Sequence, residues 1–126
     1  MKKNAIKTDK APAAIGPYEQ GVQAGDFLFT SGQIALDPAT GQFLQGEIEA
    51  ETERVLKNIE AILHAAGMTL NNVVKTTVYM TDLGHFTRMN QVYEKFFMEN
   101  KPARATVQVA ALPKGAKVEI DAVACL

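Results

Sequence analysis

The chain changes from strand-like to helix-like patterning in its middle, and this change limits the folds open to it. From Ile48 to Ala66 the apolar residues recur at helical spacing, which indicates an amphipathic helix with one buried face. Glutamates crowd the start of this segment and Gly67 follows its end, as is typical of helix termini. Because β-branched and alternating segments lie on both sides, the sequence predicts a sheet with helices packed against it.

A second helix is predicted after Asp82, which is a suitable N-terminal cap. Its apolar stripe runs from Phe86 to Phe97, and it ends before Pro102 because a residue preceding proline avoids helical geometry. Strands are predicted around the two helices, separated by sequences that favour turns. The predicted strands are Tyr18 to Gln23, Phe27 to Ser31, Gln33 to Leu36, Val73 to Met80, Ala105 to Ala110 and Lys117 to Ala124.

These elements predict an α+β fold with one mixed β-sheet and two helices packed on one of its faces. The 126 residues suffice for one domain, and no linker or repeat divides them, so we expect 1–126 to form a single domain. Strand residues such as Val22, Leu28 and Val107 cannot all point toward the helices. The opposite face of the sheet therefore needs another partner, which an oligomer would provide.

Composition argues against several classes of function. The formal net charge is −1 and the lysines are scattered, so no basic surface is expected to attract nucleic acid. No apolar run approaches the roughly 18 residues of a spanning helix, and the basic N-terminal segment lacks the apolar core of a signal peptide. The one cysteine, Cys125, cannot form an intramolecular disulfide. We therefore expect a cytoplasmic protein that binds neither membranes nor nucleic acid.

Two charged residues on strand-like segments are the strongest candidates for chemistry. Arg104 carries a planar guanidinium that can hold a small carboxylate through two parallel hydrogen bonds. Glu119 can position a water molecule or transfer a proton. Because Leu112-Pro113-Lys114-Gly115 favours a turn, the last two strands are predicted to pair as a hairpin, with Glu119 opposite Thr106 and Val107. An isolated charge on a strand is usually only solvent-exposed, so this hypothesis needs support from the rest of the chain.

That support comes from several short segments that occur in a fixed order. Near the C-terminus they are Pro102-Ala103-Arg104-Ala105-Thr106-Val107, Leu112-Pro113-Lys114 and Val118-Glu119-Ile120. Earlier segments are Ala11-Pro12-Ala13-Ala14-Ile15-Gly16-Pro17-Tyr18, Thr30-Ser31-Gly32-Gln33-Ile34, Val74-Lys75-Thr76-Thr77-Val78 and Asn90-Gln91-Val92-Tyr93. Together they resemble the RidA (YjgF) family of enamine/imine deaminases over most of the chain.

The resemblance implies a RidA/chorismate-mutase-like fold that assembles as a homotrimer with a barrel-like core and ligand sites between subunits. It implies hydrolytic deamination of 2-enamino and 2-imino acids, such as 2-iminobutanoate and 2-iminopropanoate, to 2-oxo acids and ammonia. Arg104 would bind the substrate carboxylate, Glu119 would help to position water, and the Thr106 backbone carbonyl would position water or the departing amine. Many family members carry cysteine where this chain has Thr106. The remaining residues implied for substrate binding are Tyr18, Ser31, Gly32 and Asn90.

Ser31 and Gly32 also have an interpretation independent of the family. They end a predicted strand, where exposed backbone N–H groups are expected to receive a carboxylate or carbonyl oxygen.

No metal site is expected, because His64 and His85 are far apart and have no other ligands at suitable spacing. The sequence also lacks a phosphate-binding loop and a nucleophile elbow. We therefore expect chemistry without a metal or cofactor.

Two alternative functions remain open from the sequence. One is a non-catalytic trimer that binds 2-oxo or amino acids and regulates a partner protein, because an arginine serves binding as well as catalysis. The other is a ribonuclease or translation inhibitor, although the near-neutral charge argues against it.

Overall fold

Six strands and two helices make up residues 2–126, which are the residues that the computed structural model of the protein describes. The strands are β1 (Lys3–Ile6), β2 (Gly21–Ala24), β3 (Phe27–Thr30), β4 (Val73–Met80), β5 (Ala103–Gln108) and β6 (Val118–Cys125). The helices are α1 (Ile48–Ala65) and α2 (Phe86–Phe97), with short 3-10 turns at Leu70–Asn72, Leu83–His85 and Pro113–Gly115.

All six strands form one sheet in the order β1-β2-β3-β6-β4-β5. Strands β4 and β5 are parallel, whereas the other neighbouring pairs are antiparallel. A parallel pair needs a crossover connection, and α2 provides it between β4 and β5. The predicted mixed sheet of an α+β fold is confirmed.

The predicted hairpin between the last two strands is wrong. Strand β4 lies between β5 and β6, pairing in parallel with the former and antiparallel with the latter. The α2 crossover places β5 beside β4, so β6 pairs with the other edge of β4. Tyr79 of β4 is therefore the residue opposite Glu119, and Val107 is opposite Tyr79 on its other side.

Both helices pack on the same face of the sheet, as predicted. Helix α1 buries Val55, Ile59 and Ile62 in the core, and α2 buries Met89 and Phe97. In β6 every second residue is buried against the helices, which is the period-two alternation of a strand with one covered face. The positions between them, including Glu119, belong to the opposite, helix-free face of the sheet.

The helix-free face carries exposed apolar side chains. Phe27, Phe29 and Val107 are 45%, 46% and 41% exposed, respectively. The rings of Phe27 and Phe29 lie close together, with centroids 6.5 Å apart, so their exposed surfaces form one apolar patch. Exposed apolar patches of this kind mark interaction surfaces in soluble proteins.

Several element boundaries differ from the sequence-based prediction. Gln33 and Leu36 form only isolated bridges, with Ile120 and Phe43, instead of the predicted third strand. The N-terminal β1 was not predicted, because the polar sequence of Lys3–Ile6 lacks an apolar alternation. Asp82 caps the short 3-10 turn at Leu83–His85, with its carboxylate accepting from the Gly84 N–H.

The predicted end of α1 at Gly67 is confirmed. Gly67 has a φ of 75°, a left-handed conformation that a residue with a side chain rarely adopts. Within residues 2–126, no helix is both long and apolar enough to cross a membrane.

Candidate functional site

Arg104 lies on β5, at the edge of the sheet, and its side chain turns toward α2. Its NH1 group donates a hydrogen bond of 2.7 Å to the Asn90 side-chain oxygen. The guanidinium carbon lies 4.6 Å from the centre of the Tyr93 ring and 5.4 Å from that of Phe86, distances at which a cation is attracted to an aromatic face. Three residues of one helix segment therefore fix the orientation of the guanidinium.

Tyr93 is itself held in place by its surroundings. It is only 7% exposed, its hydroxyl lies 2.7 Å from the Thr76 hydroxyl, and its ring packs 4.7 Å from that of Phe97. Burial raises the pKa of the Tyr93 phenol above its ordinary value, so the phenol stays neutral near pH 7. Thr76 pairs with Arg104 across β4 and β5. The Tyr93 ring and the Arg104 guanidinium are therefore both held by this pair of strands.

The Arg104 guanidinium borders a concavity of about 380 Å³ between α2 and β5. A guanidinium has five N–H groups in a planar fork, so the bond to Asn90 leaves others for a ligand. We call this concavity the arginine pocket, and it is lined by Asn90, Tyr93, Glu94, Phe97, Lys101, Pro102 and Arg104. Thr106 follows two residues later on the same face of β5 and is half-buried.

Asn90 was predicted to contact substrate, and in the structure its side chain contacts Arg104. Its side-chain oxygen accepts the hydrogen bond, which orients the amide with its NH2 group on the other side. Asn90 therefore lines the arginine pocket and aligns the arginine, and its contact with substrate stays a prediction.

Glu119 lies on the helix-free face, next to Gly32. A methyl group at Gly32 would overlap the Glu119 carboxylate, so glycine is what allows this close approach. Burial raises the pKa of the Glu119 carboxyl above its ordinary value, and the nearby charge of Asp121 raises it further. Both effects disfavour the ionised form of Glu119, as is common for carboxyl groups that transfer protons.

Tyr18 and Ser31 line a second concavity, of about 570 Å³, which also includes Phe29 of the helix-free face. Tyr18 is 52% exposed, so its phenol is open to a ligand or a second chain. We use the name glutamate surface for Tyr18, Ser31, Gly32 and Glu119.

The predicted use of the Ser31 N–H as a free donor is wrong. This N–H donates to the Gln20 carbonyl at 2.9 Å, and the Ser31 hydroxyl donates to the Glu19 carbonyl at 2.5 Å. Both bonds tie Ser31 to the segment that carries Tyr18. Ser31 therefore supports the loop around Tyr18, with its own donors already engaged.

The structure does not bring Arg104 and Glu119 together within one chain. Arg104 faces α2, whereas Glu119 belongs to the opposite face of the sheet, with β4 between their strands. They also lie at different levels, because Arg104 pairs with Thr76 and Glu119 with Tyr79. The predicted site residues therefore form two groups, the arginine pocket and the glutamate surface.

Four residues at these two groups were not predicted from the sequence. Tyr93 and Phe86 were interpreted as part of the apolar stripe of α2, and nothing in the stripe shows that Arg104 stacks on it. Tyr79 and Asp121 adjoin Glu119, and the Tyr79 hydroxyl donates to the Asp121 carboxylate at 3.0 Å. The period of β6 does place Asp121 on the same face as Glu119, so that signal was available.

His64 and His85 lie apart in the structure as well as in the sequence. His64 is in the last turn of α1, whereas His85 precedes α2 and lies 4.0 Å from the Asp82 carboxylate. Among residues 2–126, no three His, Cys, Asp or Glu side chains gather closely enough to hold a metal ion.

Comparison with known proteins gives a consistent family relationship. Residues 8–126 match the family described as Endoribonuclease L-PSP. Protein DfrA of Myxococcus xanthus is 55% identical over 126 residues, covering 98% of this chain and 96% of that protein. The 2-iminobutanoate/2-iminopropanoate deaminase of Mus musculus is 50% identical over 122 residues, covering 97% and 90%, respectively.

The fold is shared with solved structures of the same group. The crystal structure of Escherichia coli TdcF with bound serine superposes with a TM-score of 0.93 at 44% identity, covering 98% of each chain. Sequence and fold agree over almost the whole length, so the chain belongs to the Endoribonuclease L-PSP family, which is the RidA (YjgF) family that its motifs resemble.

Proposed function

We propose that this protein hydrolyses reactive 2-enamino and 2-imino acids, such as 2-iminobutanoate and 2-iminopropanoate, to 2-oxo acids and ammonia. The observation that carries the proposal is the fixed guanidinium of Arg104, stacked on Tyr93 and bonded to Asn90 beside an open concavity. A planar fork held in one orientation suits a small carboxylate. The mouse relative, which is named as a deaminase for these two imino acids, supports the choice of substrate.

Each site residue has a role in the proposed reaction. Arg104 binds the substrate carboxylate and thereby orients the C=N bond. As the C–O bond forms, Glu119 passes a proton from the attacking water to the imine nitrogen. As the C–N bond breaks, it passes the proton of the new hydroxyl to the same nitrogen, so that a C=O bond forms and ammonia leaves. The Thr106 carbonyl accepts a hydrogen bond from the water or the departing amine. Gly32 adjoins Glu119, and Tyr18 would contact the substrate from the concavity that it shares with Ser31. The overall change consumes one water and releases one ammonia.

The complete site is proposed to form between two chains of a homotrimer. Two observations support this assembly: Arg104 and Glu119 belong to opposite faces of one sheet, and the helix-free face exposes Phe27, Phe29 and Val107. Burying that apolar face against another copy would bring the glutamate surface of one chain to the arginine pocket of the next.

The function is tested by measuring ammonia and 2-oxobutanoate released from freshly generated 2-iminobutanoate. Wild-type protein is expected to accelerate the release, and Arg104→Ala to lose most of the acceleration. Circular dichroism should show that Arg104→Ala keeps the wild-type secondary structure, because Arg104 is half-buried on an edge strand. A wild-type rate equal to that of spontaneous hydrolysis would refute the proposal.

The shared site is tested by mixing two inactive variants. Arg104→Ala and Glu119→Ala chains are unfolded together and refolded, so that mixed trimers form. If each site takes its arginine and glutamate from different chains, about a quarter of the sites regain both residues in a random equal mixture. Recovery of activity supports the intersubunit site, whereas a mixture as inactive as its parents contradicts it.

A second candidate is a trimer that binds amino or 2-oxo acids without turning them over. The serine bound in the related TdcF structure favours this function. It predicts saturable binding of serine or 2-oxobutanoate by the wild type, no release of ammonia from the imine, and loss of binding in Arg104→Ala. The same two measurements therefore distinguish the candidates.

A further inference from the structure

Three polar side chains adjoin one another on the helix-free face of β4 and β6. Glu119 and Asp121 are two residues apart on β6, so their side chains leave the same face of the sheet. Tyr79 of β4 is directly opposite Glu119, and its hydroxyl donates to Asp121 at 3.0 Å. We propose that Asp121 is a positioning residue for Glu119, and that Tyr79 holds the Asp121 carboxylate beside it.

The groups that face Glu119 explain why Asp121 is the charge that acts on it. From β4 the neighbours are Tyr79 and the uncharged Thr77, which pairs with Asp121. From the segment after β3 the neighbour is Gly32, which brings only backbone. Asp121 is therefore the adjacent charged group on this face.

Two lysines at the same face of β6 and β4 do not lie beside Glu119. Lys117 precedes Glu119 by two residues, but its ammonium group lies 2.9 Å from the Gly46 carbonyl and 3.6 Å from the buried Glu51 carboxylate. Lys75 leaves the same face of β4 but pairs with Val123, four residues along β6 from Glu119. Within residues 2–126, Glu119 thus has a carboxylate beside it and both lysines at a distance.

Tyr79 keeps this arrangement stable. Burial and the bond to Asp121 raise the pKa of the Tyr79 phenol, so it stays neutral and acts as a donor near pH 7. The hydrogen bond that Tyr79 donates fixes the position of the Asp121 carboxylate. The Asp121 carboxylate is consequently held beside Glu119, instead of turning toward water.

The consequence concerns the proton transfers and rests on the function proposed above. A neighbouring negative charge makes the Glu119 carboxylate more basic, which favours removal of a proton from the attacking water. Glu119 gives that proton to the imine nitrogen. It then passes the proton of the new hydroxyl to the same nitrogen as the C–N bond breaks and the C=O bond forms, so Glu119 ends in its initial form. Asp121 takes no part in the bond changes; it acts by setting the proton affinity of Glu119.

The test compares Asp121→Asn, Asp121→Glu and Asp26→Asn in the full-length protein. Asp121→Asn removes the charge with little change in shape, and Asp121→Glu restores it. Asp26→Asn removes an equal charge from the turn before Phe27, which pairs with Cys125 at the far end of β6. The carboxyl titration of Glu119 is followed by 13C NMR, and kcat/KM for 2-iminobutanoate is measured against pH.

We expect Asp121→Asn to move both the Glu119 titration and the acidic limb of kcat/KM to lower pH, and to reduce kcat near neutrality. Asp121→Glu and Asp26→Asn should retain the wild-type values. Tyr79→Phe should move both curves in the same direction by a smaller amount, because Asp121 becomes free to turn toward water. This variant replaces Asp121→Asn in the test if Asp121→Asn does not fold. The proposal is overturned if the Glu119 titration is unchanged in Asp121→Asn. If Asp121→Asn does not fold, an unchanged titration in Tyr79→Phe overturns it.

The NMR titration separates this inference from the proposed function. If the titration moves as expected but the wild type does not hydrolyse the imine, the proposed function fails while the relationship between Asp121 and Glu119 stands. If the wild type hydrolyses the imine but the titration does not move in Asp121→Asn, the function stands and the role of Asp121 fails.

Discussion

The guanidinium carbon of Arg104 lies 4.6 Å from the centre of the Tyr93 ring, and the Tyr93 hydroxyl lies 2.7 Å from Thr76. Thr76 is the residue paired with Arg104 across β4 and β5, so Tyr93 contacts the side chains of two neighbouring strand residues. The strand pair and the helix that connects it thus fix a cation at the edge of the sheet. Such pre-organisation reduces the entropy lost when a carboxylate binds.

Arg104→Lys is expected to lower kcat/KM for 2-iminobutanoate by about ten- to a hundredfold, although the charge is kept. Lysine cannot form the two-point contact with a carboxylate, and losing one charge-assisted hydrogen bond costs about 1.5–3 kcal/mol. Steady-state kinetics provide the measurement. Arg88→Lys is the matched control, because Arg88 binds Glu47 and Glu49 away from the arginine pocket. An Arg104→Lys enzyme with more than half of the wild-type kcat/KM would contradict the bidentate role.

The paired hydroxyls of Thr76 and Tyr93 predict a strong coupling in stability. Each single variant, Thr76→Val or Tyr93→Phe, leaves one buried hydroxyl without its partner and is expected to cost about 1–3 kcal/mol. The double variant removes both hydroxyls and should cost less than the sum of the two single losses. Denaturant unfolding of all four proteins completes the cycle. Strictly additive losses would show that the two hydroxyls do not depend on each other.

The sequence predicted the helices better than the pairing of the strands. The apolar spacing of Ile48 to Ala66 is a local property, and α1 differs from it by one residue at its end. Which strands become neighbours depends on contacts far apart along the chain, so the turn at Leu112-Pro113-Lys114-Gly115 was mistaken for a hairpin loop. The crossover through α2 decides the order instead, because it requires β5 to lie parallel to β4.

The candidate site was predictable in its composition but not in its geometry. The motif containing Arg104 and the strand containing Glu119 were found from residue type and family resemblance. The stacking of Arg104 on Tyr93 depends on how α2 packs against the sheet. The spacing of residues in the sequence does not predict that packing. The separation of Arg104 and Glu119 onto opposite faces follows from the register of β5 and β6 against β4, because their partners Thr76 and Tyr79 lie on opposite faces of β4.

Phe29→Glu is expected to give monomers in place of the proposed trimer and to abolish activity. Phe29 is 46% exposed on the helix-free face, where a buried glutamate in an interface between copies would lack a counter-ion. Light scattering and sedimentation measure the mass at micromolar concentration. Leu83→Glu is the control, since Leu83 is 42% exposed on a short turn before α2. A wild-type protein that is already monomeric would exclude both the trimer and the shared site.

Glu119→Gln is expected to reduce kcat strongly while leaving the affinity for 2-oxobutanoate nearly unchanged. Glutamine keeps the shape and the hydrogen-bonding capacity of the side chain, but it cannot accept and return a proton. Isothermal titration gives the affinity and the imine assay gives kcat. Equal turnover by wild type and Glu119→Gln would leave water activation to the backbone near Thr106.

The same Glu119→Gln variant is expected to be more stable than the wild type at neutral pH. Burial and the Asp121 charge raise the pKa of Glu119 in the folded protein, so the folded state binds this proton more tightly than the unfolded chain does. At acidic pH, below the unfolded pKa, the carboxyl is protonated in both states and carries no electrostatic cost. As the pH rises through the folded pKa, the ionised form destabilises the wild type, whereas glutamine has no charge to bury. Thermal midpoints of wild type and Glu119→Gln, measured at fixed protein concentration, should therefore separate with rising pH and converge in acid.

Glu53→Gln, at an exposed position on α1, is the control and should show no such separation from the wild type. If the midpoints of wild type and Glu119→Gln differ by the same amount at every pH, the ionised carboxylate of Glu119 is not the source of the cost.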